Sequence, residues 1–186
     1  MAISTADFRN GMCIEYNGKL CTIVEFQHVK PGKGGAFVRT KLRDIKTGRV
    51  VDYTFNSGTK FDSVRLETKK MQFLYSDGAD FNFMDSTTYE QLAIPADVVG
   101  SAGNWLKEND EATLMYAGDE LISIEPQMFV ELEVTETEPG FKGDTATGAT
   151  KPATVETGAV VYVPLFVEQG DKIKIDTRTG EYLSRV

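Results

Sequence analysis

The 186-residue sequence contains one histidine, two cysteines and one tryptophan, and no apolar run approaches the length of a membrane-spanning helix. Such a helix needs about 20 consecutive apolar residues, so we expect no membrane segment. The first residues do not combine a basic segment with an apolar core, so a secretory signal is not expected either. With 26% charged residues, these absences favour a soluble cytoplasmic protein.

The scarcity of histidine and cysteine limits the chemistry available to a conventional active site. His28 is the only histidine, and no catalytic motif surrounds it, so a packing role is favoured. Cys13 and Cys21 flank a predicted two-residue turn at Asn17-Gly18, which places Cys13 opposite Thr22 and the two sulfurs on opposite faces. A disulfide is therefore not expected. No group of residues has metal-ligand spacing, and we predict a protein that is not an enzyme and has no cofactor.

The net charge of −8 conceals a division along the chain. Residues 1–64 carry +4, residues 65–128 carry −8 and residues 129–186 carry −4. Within residues 28–49, seven lysines and arginines accompany a single acid, Asp44. Clustered cations in an otherwise acidic chain predict that one segment contacts phosphate, whereas the acidic remainder is typical of a solvated surface.

A glycine-rich loop lies inside this basic segment. Residues 22–29 are rich in β-branched and aromatic side chains and residues 36–42 alternate, so the two segments predict the strands of a hairpin. Lys33 stands between glycines at the tip. A phosphate-binding loop would require Ser or Thr after the lysine and then a helix, which this sequence lacks. A solvated hairpin tip is the other interpretation, and the clustered cations favour an RNA-contacting tip.

We expect this hairpin to project from a small barrel. At roughly 3.3 Å per residue, a ten-residue projection would extend on the order of 30 Å into solvent.

Short strands separated by turns predict an all-β fold of three small β-barrels in a row. Residues 1–64 favour an SH3-like domain. Residues 65–127 favour an OB-fold of five strands with a short helix that Asp97 caps. Residues 128–186 favour a second OB-fold, in which residues 143–152 form a long polar loop.

Two motifs resemble those of a known family. KPGKGGAFVR at residues 30–39 resembles the tip loop of bacterial elongation factor P. KPATVETGAVVYVPLFVEQG at residues 151–170 resembles the C-terminal signature of the same family. Because both motifs occur in the family's order and more than a hundred residues apart, the resemblance covers the whole chain.

The resemblance implies an L-shaped, tRNA-like protein with an SH3-like, or KOW-like, N-terminal domain followed by two OB-fold domains. It implies a translation elongation factor that binds between the peptidyl and exit sites of the ribosome and stimulates peptide-bond formation at consecutive prolines. The implied partners are both ribosomal subunits, peptidyl-tRNA, an mRNA codon in the exit site and an enzyme that modifies the tip lysine. A monomer is expected.

The resemblance also implies roles for individual residues. Lys33 is the tip lysine that reaches toward the acceptor end of the peptidyl-tRNA, and in many members it carries an added group. Gly143, Asp144 and Thr145 match a loop placed near the exit-site codon. Tyr182 and Arg185 match C-terminal residues near RNA. The resemblance also implies that other residues of the tip motif contact the acceptor end of the tRNA: Lys30, Pro31, Gly32, Gly34, Gly35 and Arg39.

Alternative hypotheses remain open at this point. The archaeal and eukaryotic counterpart has a tip lysine but typically two domains, whereas a bacterial elongation factor P-like paralogue differs in the tip and in the Gly-Asp-Thr loop. A generic OB-type single-stranded RNA-binding protein would need exposed aromatic residues interleaved with cations. The two C-terminal segments are acidic, and Trp105 beside Leu106 is predicted to belong to a core instead.

Overall fold

The computed structural model describes residues 1–140 and 148–186. The described residues form sixteen strands in three sheets and one four-residue α-helix, α1 (Ala96–Val99), which confirms the all-β fold class. No helix in these two ranges is long and apolar enough to cross a bilayer. Backbone proximity divides the chain into two compact units, Met1–Thr68 with Met115–Ser123 and Lys69–Leu114 with Ile124–Val186.

The first sheet has six strands in the order β1-β6-β2-β3-β4-β5. The turn between β2 and β3 has positive φ angles at Asn17 (51°) and Gly18 (70°), as a two-residue hairpin turn requires. Cys13 lies opposite Thr22, which confirms the predicted register. The strands are β1 (Ala2–Ser4), β2 (Cys13–Tyr16), β3 (Lys19–Val29), β4 (Phe37–Asp44), β5 (Val50–Asn56) and β6 (Lys60–Ser63).

Aromatic side chains pack together in the core of the first sheet. The ring centroids of Phe55 on β5 and Phe61 on β6 are 4.7 Å apart, and Phe8 packs 5.4 Å from Phe61. Edge-to-face and tilted ring pairs of this kind add to the free energy gained from burial. Thr40 is a buried polar residue in this core, and its hydroxyl donates to the carbonyl oxygen of Tyr53 at 2.7 Å. The polar group is therefore satisfied where water cannot reach it.

The second sheet has five strands in the order β11-β10-β7-β8-β9. Helix α1 follows β9, and its N-cap residue is Pro95, with no side-chain capping bond. The prediction that Asp97 caps this helix is wrong, because the helix begins one residue before Asp97 and the carboxylate lies inside the first turn. The strands are β7 (Leu66–Ser76), β8 (Asp80–Asp85), β9 (Gln91–Pro95), β10 (Glu111–Ala117) and β11 (Glu120–Pro126).

The third sheet also has five strands, in the order β14-β13-β12-β15-β16, and its outer strands β14 and β16 contact each other. This contact closes the sheet around a core that includes Val130, Leu132 and Val134, the inward residues of β12. The strands are β12 (Phe129–Thr137), β13 (Thr150–Val155), β14 (Val160–Pro164), β15 (Lys172–Asp176) and β16 (Glu181–Arg185).

The predicted polar loop at residues 143–152 is shorter than expected at its C-terminal end. Thr150 to Pro152 belong to β13, where Lys151 is buried and its ammonium group donates to the carbonyl oxygen of Glu138 at 2.5 Å. Lysine and proline are more typical of loops than of strands, so the sequence did not predict that β13 begins at these residues. Residues 141–147 lie outside the described residues.

Trp105 packs against a core, as predicted, and that core is the one of the third sheet. Leu106 is buried, whereas Trp105 is partly buried and packs against the core of the third sheet. A Cβ atom built at Gly180 would lie 3.2 Å from Cζ2 of Trp105, so the indole ring occupies the space that a side chain at position 180 would need. A hydrogen bond of 2.6 Å from the Thr157 hydroxyl to the carbonyl oxygen of Asn104 fixes the adjoining backbone.

Gly140 offers a test of backbone packing in the third sheet. A Cβ atom at this position would overlap the carbonyl group of Leu165. Because backbone cannot swing aside as a flexible side chain can, Gly140→Ala is expected to lower the free energy of unfolding by ~1–3 kcal/mol, measured by urea denaturation. Gly35→Ala is the matched control, since a Cβ atom there meets no other atom within 4 Å. Equal stability of the two variants would contradict this packing argument.

Asp176 and Arg178 offer a test of charge stabilisation. Arg178 donates from Nε to Oδ1 of Asp176 at 3.1 Å and from Nη2 to Oδ2 at 2.8 Å, and these bonds hold the pKa of Asp176 below its ordinary value. A carboxylate with a lowered folded-state pKa stabilises the fold at neutral pH, and this stabilisation disappears as pH falls through that pKa. Asp176→Asn should therefore lower the melting temperature at neutral pH by a few degrees and weaken its dependence on acid pH.

Thermal unfolding followed by circular dichroism from about pH 7 to about pH 3 covers this range. Glu181→Gln is the control, because it removes an exposed carboxylate that faces Asp176 across β15 and β16. The explanation would be wrong if both variants kept the acid sensitivity of the unaltered chain.

Candidate functional site

The tip loop, residues 30–36, joins β3 to β4, and β4 has a paired neighbour on each side. Phe37, the first residue of β4, lies opposite residues of both β3 and β5. The backbone N–H of Ser57 donates to the carbonyl oxygen of Ala36 at 3.0 Å, which extends this support one residue further. The expectation of a hairpin projecting on the order of 30 Å is therefore wrong, because β5 accompanies β4 to the base of the loop. Only the seven-residue loop extends beyond the paired strands.

A β-bulge at Val24 determines which side chains of β3 face the core. Ile23 lies opposite Leu42 and Phe26 lies opposite Thr40, so β3 contains one residue more than β4 between these pairs. Because side chains alternate along a strand, one extra residue transfers the following side chains to the other face. Phe26 thereby lies on the same face as Ile23 and packs against the core of the first sheet. The bulge thereby keeps Phe26 directed toward the core although Val24 is exposed.

The tip loop presents Lys33 without any stabilising contact. Lys33 is exposed and has no hydrogen bond or ion pair with another residue in the described parts of the chain. Gly34 has a φ angle of 106°, a conformation that side chains disfavour, so the backbone next to Lys33 needs glycine. The structure brings the predicted loop residues together at this tip, all exposed except the half-buried Pro31: Lys30, Pro31, Gly32, Lys33, Gly34 and Gly35.

Arg39 lies on the exposed face of β4, two residues beyond Phe37. Its guanidinium carbon is 5.6 Å from the centroid of the Phe37 ring, so the aromatic ring and the cation support each other. Lys41, the next cation on this face, is 3.4 Å from a carboxylate oxygen of Glu25, an exposed pair that contributes little stability. The alternation of this strand already predicts that Phe37 and Arg39 share a face. The structure adds the contact by which the Phe37 ring supports Arg39.

His28 packs against an aromatic ring, and the two cysteines are buried. The rings of His28 and Phe26 are 5.6 Å apart in an edge-to-face arrangement, which agrees with the predicted packing role. Burial raises the pKa of the Cys13 thiol to about 11, with a further contribution from Cys21. A thiol with such a pKa stays protonated near neutral pH and is a poor nucleophile. Within residues 1–140 and 148–186, no group of three acidic, histidine or cysteine side chains could hold a metal ion.

The predicted C-terminal residues Tyr182 and Arg185 share one face of β16. The register places Tyr182 opposite Ile175 and Arg185 opposite Ile173, with a shift between the two pairs. Without this bulge, residues 182 and 185 would face opposite sides of the strand, because their separation is odd. Tyr182 is partly buried and packs against the core of the third sheet.

Arg185 is held more firmly than the lysine at the tip. One guanidinium nitrogen, Nη1, lies 3.5 Å from a carboxylate oxygen of Asp171, and the guanidinium carbon is 5.4 Å from the centre of the Phe166 ring. The side chain is half exposed and can still offer donors to an external group. The remaining predicted site, Gly143, Asp144 and Thr145, lies outside the described residues.

Family models match the chain in three consecutive segments. Residues 4–61 match the elongation factor P KOW-like domain, residues 66–124 match the elongation factor P OB domain, and residues 130–185 match the elongation factor P C-terminal domain. The predicted SH3-like, or KOW-like, and OB-fold classes thus agree with family models that together span most of the chain.

Curated relatives resemble the chain along its full length. Proteins named Elongation factor P from Agathobacter rectalis and Finegoldia magna are 60% and 58% identical to it, over 99% of this chain and 100% of each relative. Another, from a Thermoanaerobacter species, is 56% identical over the same shares of the two chains.

Solved structures share the fold at much lower sequence identity. Eukaryotic translation initiation factor 5A from Methanococcus jannaschii is 22% identical with a TM-score of 0.50, covering 68% of this chain and 92% of that one. A translation initiation factor eif-5a family protein from Naegleria fowleri is 15% identical with a TM-score of 0.54, covering 67% and 97%. The domain models and full-length relatives confirm the resemblance seen in the two motifs. The chain belongs to the elongation factor P family of translation elongation factors.

Proposed function

We propose that this protein binds the ribosome between the peptidyl and exit sites and stimulates peptide-bond formation at consecutive prolines. Lys33 would position the acceptor end of the peptidyl-tRNA. The observation that carries this proposal is an exposed lysine with no partner among the described residues, on a loop whose base is paired on both sides. Membership in a family of elongation factors supports the translational role.

The chemistry of proline explains why positioning is sufficient. Proline is a poor and badly oriented nucleophile, and its ring restricts the peptidyl end, so the reaction is limited by geometry. Holding the reacting groups in an attack arrangement lowers the entropic part of the barrier. The protein itself would make and break no bond, which is consistent with protonated thiols and a lone histidine engaged in packing.

The residues of the tip suit contact with an RNA end. A lysine ammonium group is a compact charge on a flexible stem, and it can reach a phosphate or a 2′-hydroxyl group. The glycines on either side of Lys33 let the backbone approach RNA closely. Lys30 and Arg39 would contact neighbouring phosphates, Arg39 in the orientation that Phe37 supports.

The remaining assignments complete the proposal. Gly143, Asp144 and Thr145 would lie near the exit-site codon, and Tyr182 and Arg185 of β16 would contact RNA. The chain would act as a cytoplasmic monomer with both ribosomal subunits, the peptidyl-tRNA and an enzyme that modifies Lys33 as its partners. Its domains would comprise residues 1–64, 65–127 and 128–186.

Lys33 variants test the proposal directly. Lys33→Ala should abolish the stimulation of polyproline synthesis in a reconstituted translation reaction. It should leave the melting temperature unchanged, because the Lys33 side chain is exposed and has no hydrogen bond or ion pair with the residues that the structure describes. Lys33→Arg should also fail, because a planar guanidinium is not interchangeable with an extended amine. The measurement is the rate of full-length product from a message with consecutive proline codons, compared with one lacking them.

Lys60→Ala is the matched control, since Lys60 is an exposed lysine on β6 of the same sheet. It should retain full stimulation. Unimpaired polyproline synthesis with Lys33→Ala would refute the proposed role of the tip, and a large loss of thermal stability would show that Lys33 is structural.

The proposed modifying enzyme makes a separate prediction. Protein purified from its native host should carry an added mass on the tryptic peptide that contains Lys33, detected by intact and peptide mass spectrometry. An unmodified lysine would remove the modifying enzyme from the set of partners and leave the bare ammonium group to act alone.

A further inference from the structure

Two prolines limit the backbone ladder between β12 and β13. The register of these strands ends with Thr137 opposite Ala153. The next residue of β13 toward its start is Pro152, and Pro139 follows two residues after Thr137. Proline has no backbone N–H, so neither of these residues can donate to the opposite strand. Beyond the last pair, the two strands therefore depend on side chains for further hydrogen bonds.

Two side chains supply these hydrogen bonds. The Thr137 hydroxyl donates to the carbonyl oxygen of Pro152 at 3.1 Å, and the Lys151 ammonium group donates to the carbonyl oxygen of Glu138 at 2.5 Å. A hydrogen bond from a charged donor is roughly twice as strong as one between neutral groups. The bond from Lys151 is therefore the stronger of the two, and it holds the residue that directly follows the end of β12.

Lys151 is unusual because it is a buried lysine. It lies on the same face of β13 as the core residues Ala153 and Val155, and it is only 7% exposed. In residues 1–140 and 148–186, its ammonium group has no ion pair and no second hydrogen bond. Lysine is almost never buried without a paired charge, because desolvation of the ammonium group is costly. An apolar side chain would avoid this cost, so stability of the core does not account for a lysine here.

The backbone on both sides of residues 141–147 is held in place. A Cβ atom built at Gly140 would overlap the carbonyl group of Leu165, so this glycine lies directly against backbone that follows β14. On the returning side, Lys151 pairs with Val163 of β14. Lys151 also links the two sides, because its backbone belongs to the returning strand and its ammonium group bonds Glu138 on the departing one.

We infer that Lys151 is a positioning residue for Gly143, Asp144 and Thr145. Through its bond to Glu138, its ammonium group holds together the two ends of the segment that carries these three residues. This inference rests on the proposed function, in which they lie near the exit-site codon, and it adds the residue that fixes their attachment to the third sheet. A segment whose ends are already held together loses less conformational entropy when it binds.

Lys151→Met tests this role in the full chain, because methionine keeps an apolar side chain and removes the ammonium group. Amide exchange in residues 136–140 and 150–153 should accelerate by about tenfold, since loss of one charge-assisted hydrogen bond shifts a local opening equilibrium by that factor. Hydrogen exchange detected by mass spectrometry provides the measurement. The melting temperature should stay the same or rise, because a buried charge is removed and the exposed Glu138 can bond water instead.

A double variant shows whether Lys151 acts through Asp144 and its neighbours. In the reconstituted translation reaction, Lys151→Met should lower the stimulation of polyproline synthesis toward the level of Asp144→Ala. The double variant should be no weaker than Asp144→Ala alone, because both changes then impair the same contact. Lys172→Met is the matched control, since Lys172 is an exposed lysine on β15 of the same sheet. It should leave the exchange rates and the stimulation unchanged.

Four results would overturn the inference. They are unchanged amide exchange in Lys151→Met, full stimulation by Lys151→Met where Asp144→Ala is impaired, a double variant much weaker than Asp144→Ala, and a melting temperature lowered by several degrees. The last would make Lys151 a purely structural residue. The proposed function fails separately. Unimpaired stimulation by Asp144→Ala would remove this residue from the codon contact, whereas the exchange measurement would still decide whether Lys151 holds the ends of the segment.

Discussion

The pairing of β4 along both of its edges is the constraint on which the tip depends. A loop of glycines and one proline has almost no side chains with which to fix itself, so its position is determined by the strands at its base. Because β3 and β5 both accompany β4 to Phe37, fraying of the base would break hydrogen bonds on both sides at once. Lys33 is thus a flexible amine carried on a firmly held support, which is the combination that positioning of a partner requires.

Alternation along β4 separates stability from binding. Val38 and Leu42 are buried with Thr40, whose hydroxyl is satisfied by a backbone carbonyl, whereas Arg39 and Lys41 face solvent. The inward residues anchor the strand in the core, and the outward cations can be exchanged with little loss of folding free energy. A change in the charged face therefore alters what the hairpin contacts before it alters whether the hairpin forms.

The sequence predicted features that local patterns determine and missed those that depend on distant partners. Asn17-Gly18 dictates a two-residue turn, so the register between β2 and β3 followed from it. The bulge at Val24 is visible only once β4 is placed beside β3, and the support from β5 requires knowledge of where residues 50–56 pair. The sequence predicted that Trp105 belongs to a core, but the particular core, that of the third sheet, is formed by a later part of the chain. Tertiary contacts, and not local propensity, decided each of these.

The distribution of charge reconciles an acidic chain with RNA contact. At physiological ionic strength, charges separated by more than about 8 Å are largely screened, so a site responds to its own neighbours and not to the net charge of −8. Around the tip, Asp44 is the only acid in residues 28–49, and its carboxylate accepts the backbone N–H groups of Lys46 and Thr47 instead of neutralising Lys33. The acidic segments elsewhere disfavour indiscriminate binding to phosphate. Together these two effects would direct electrostatic contact with RNA to the basic hairpin.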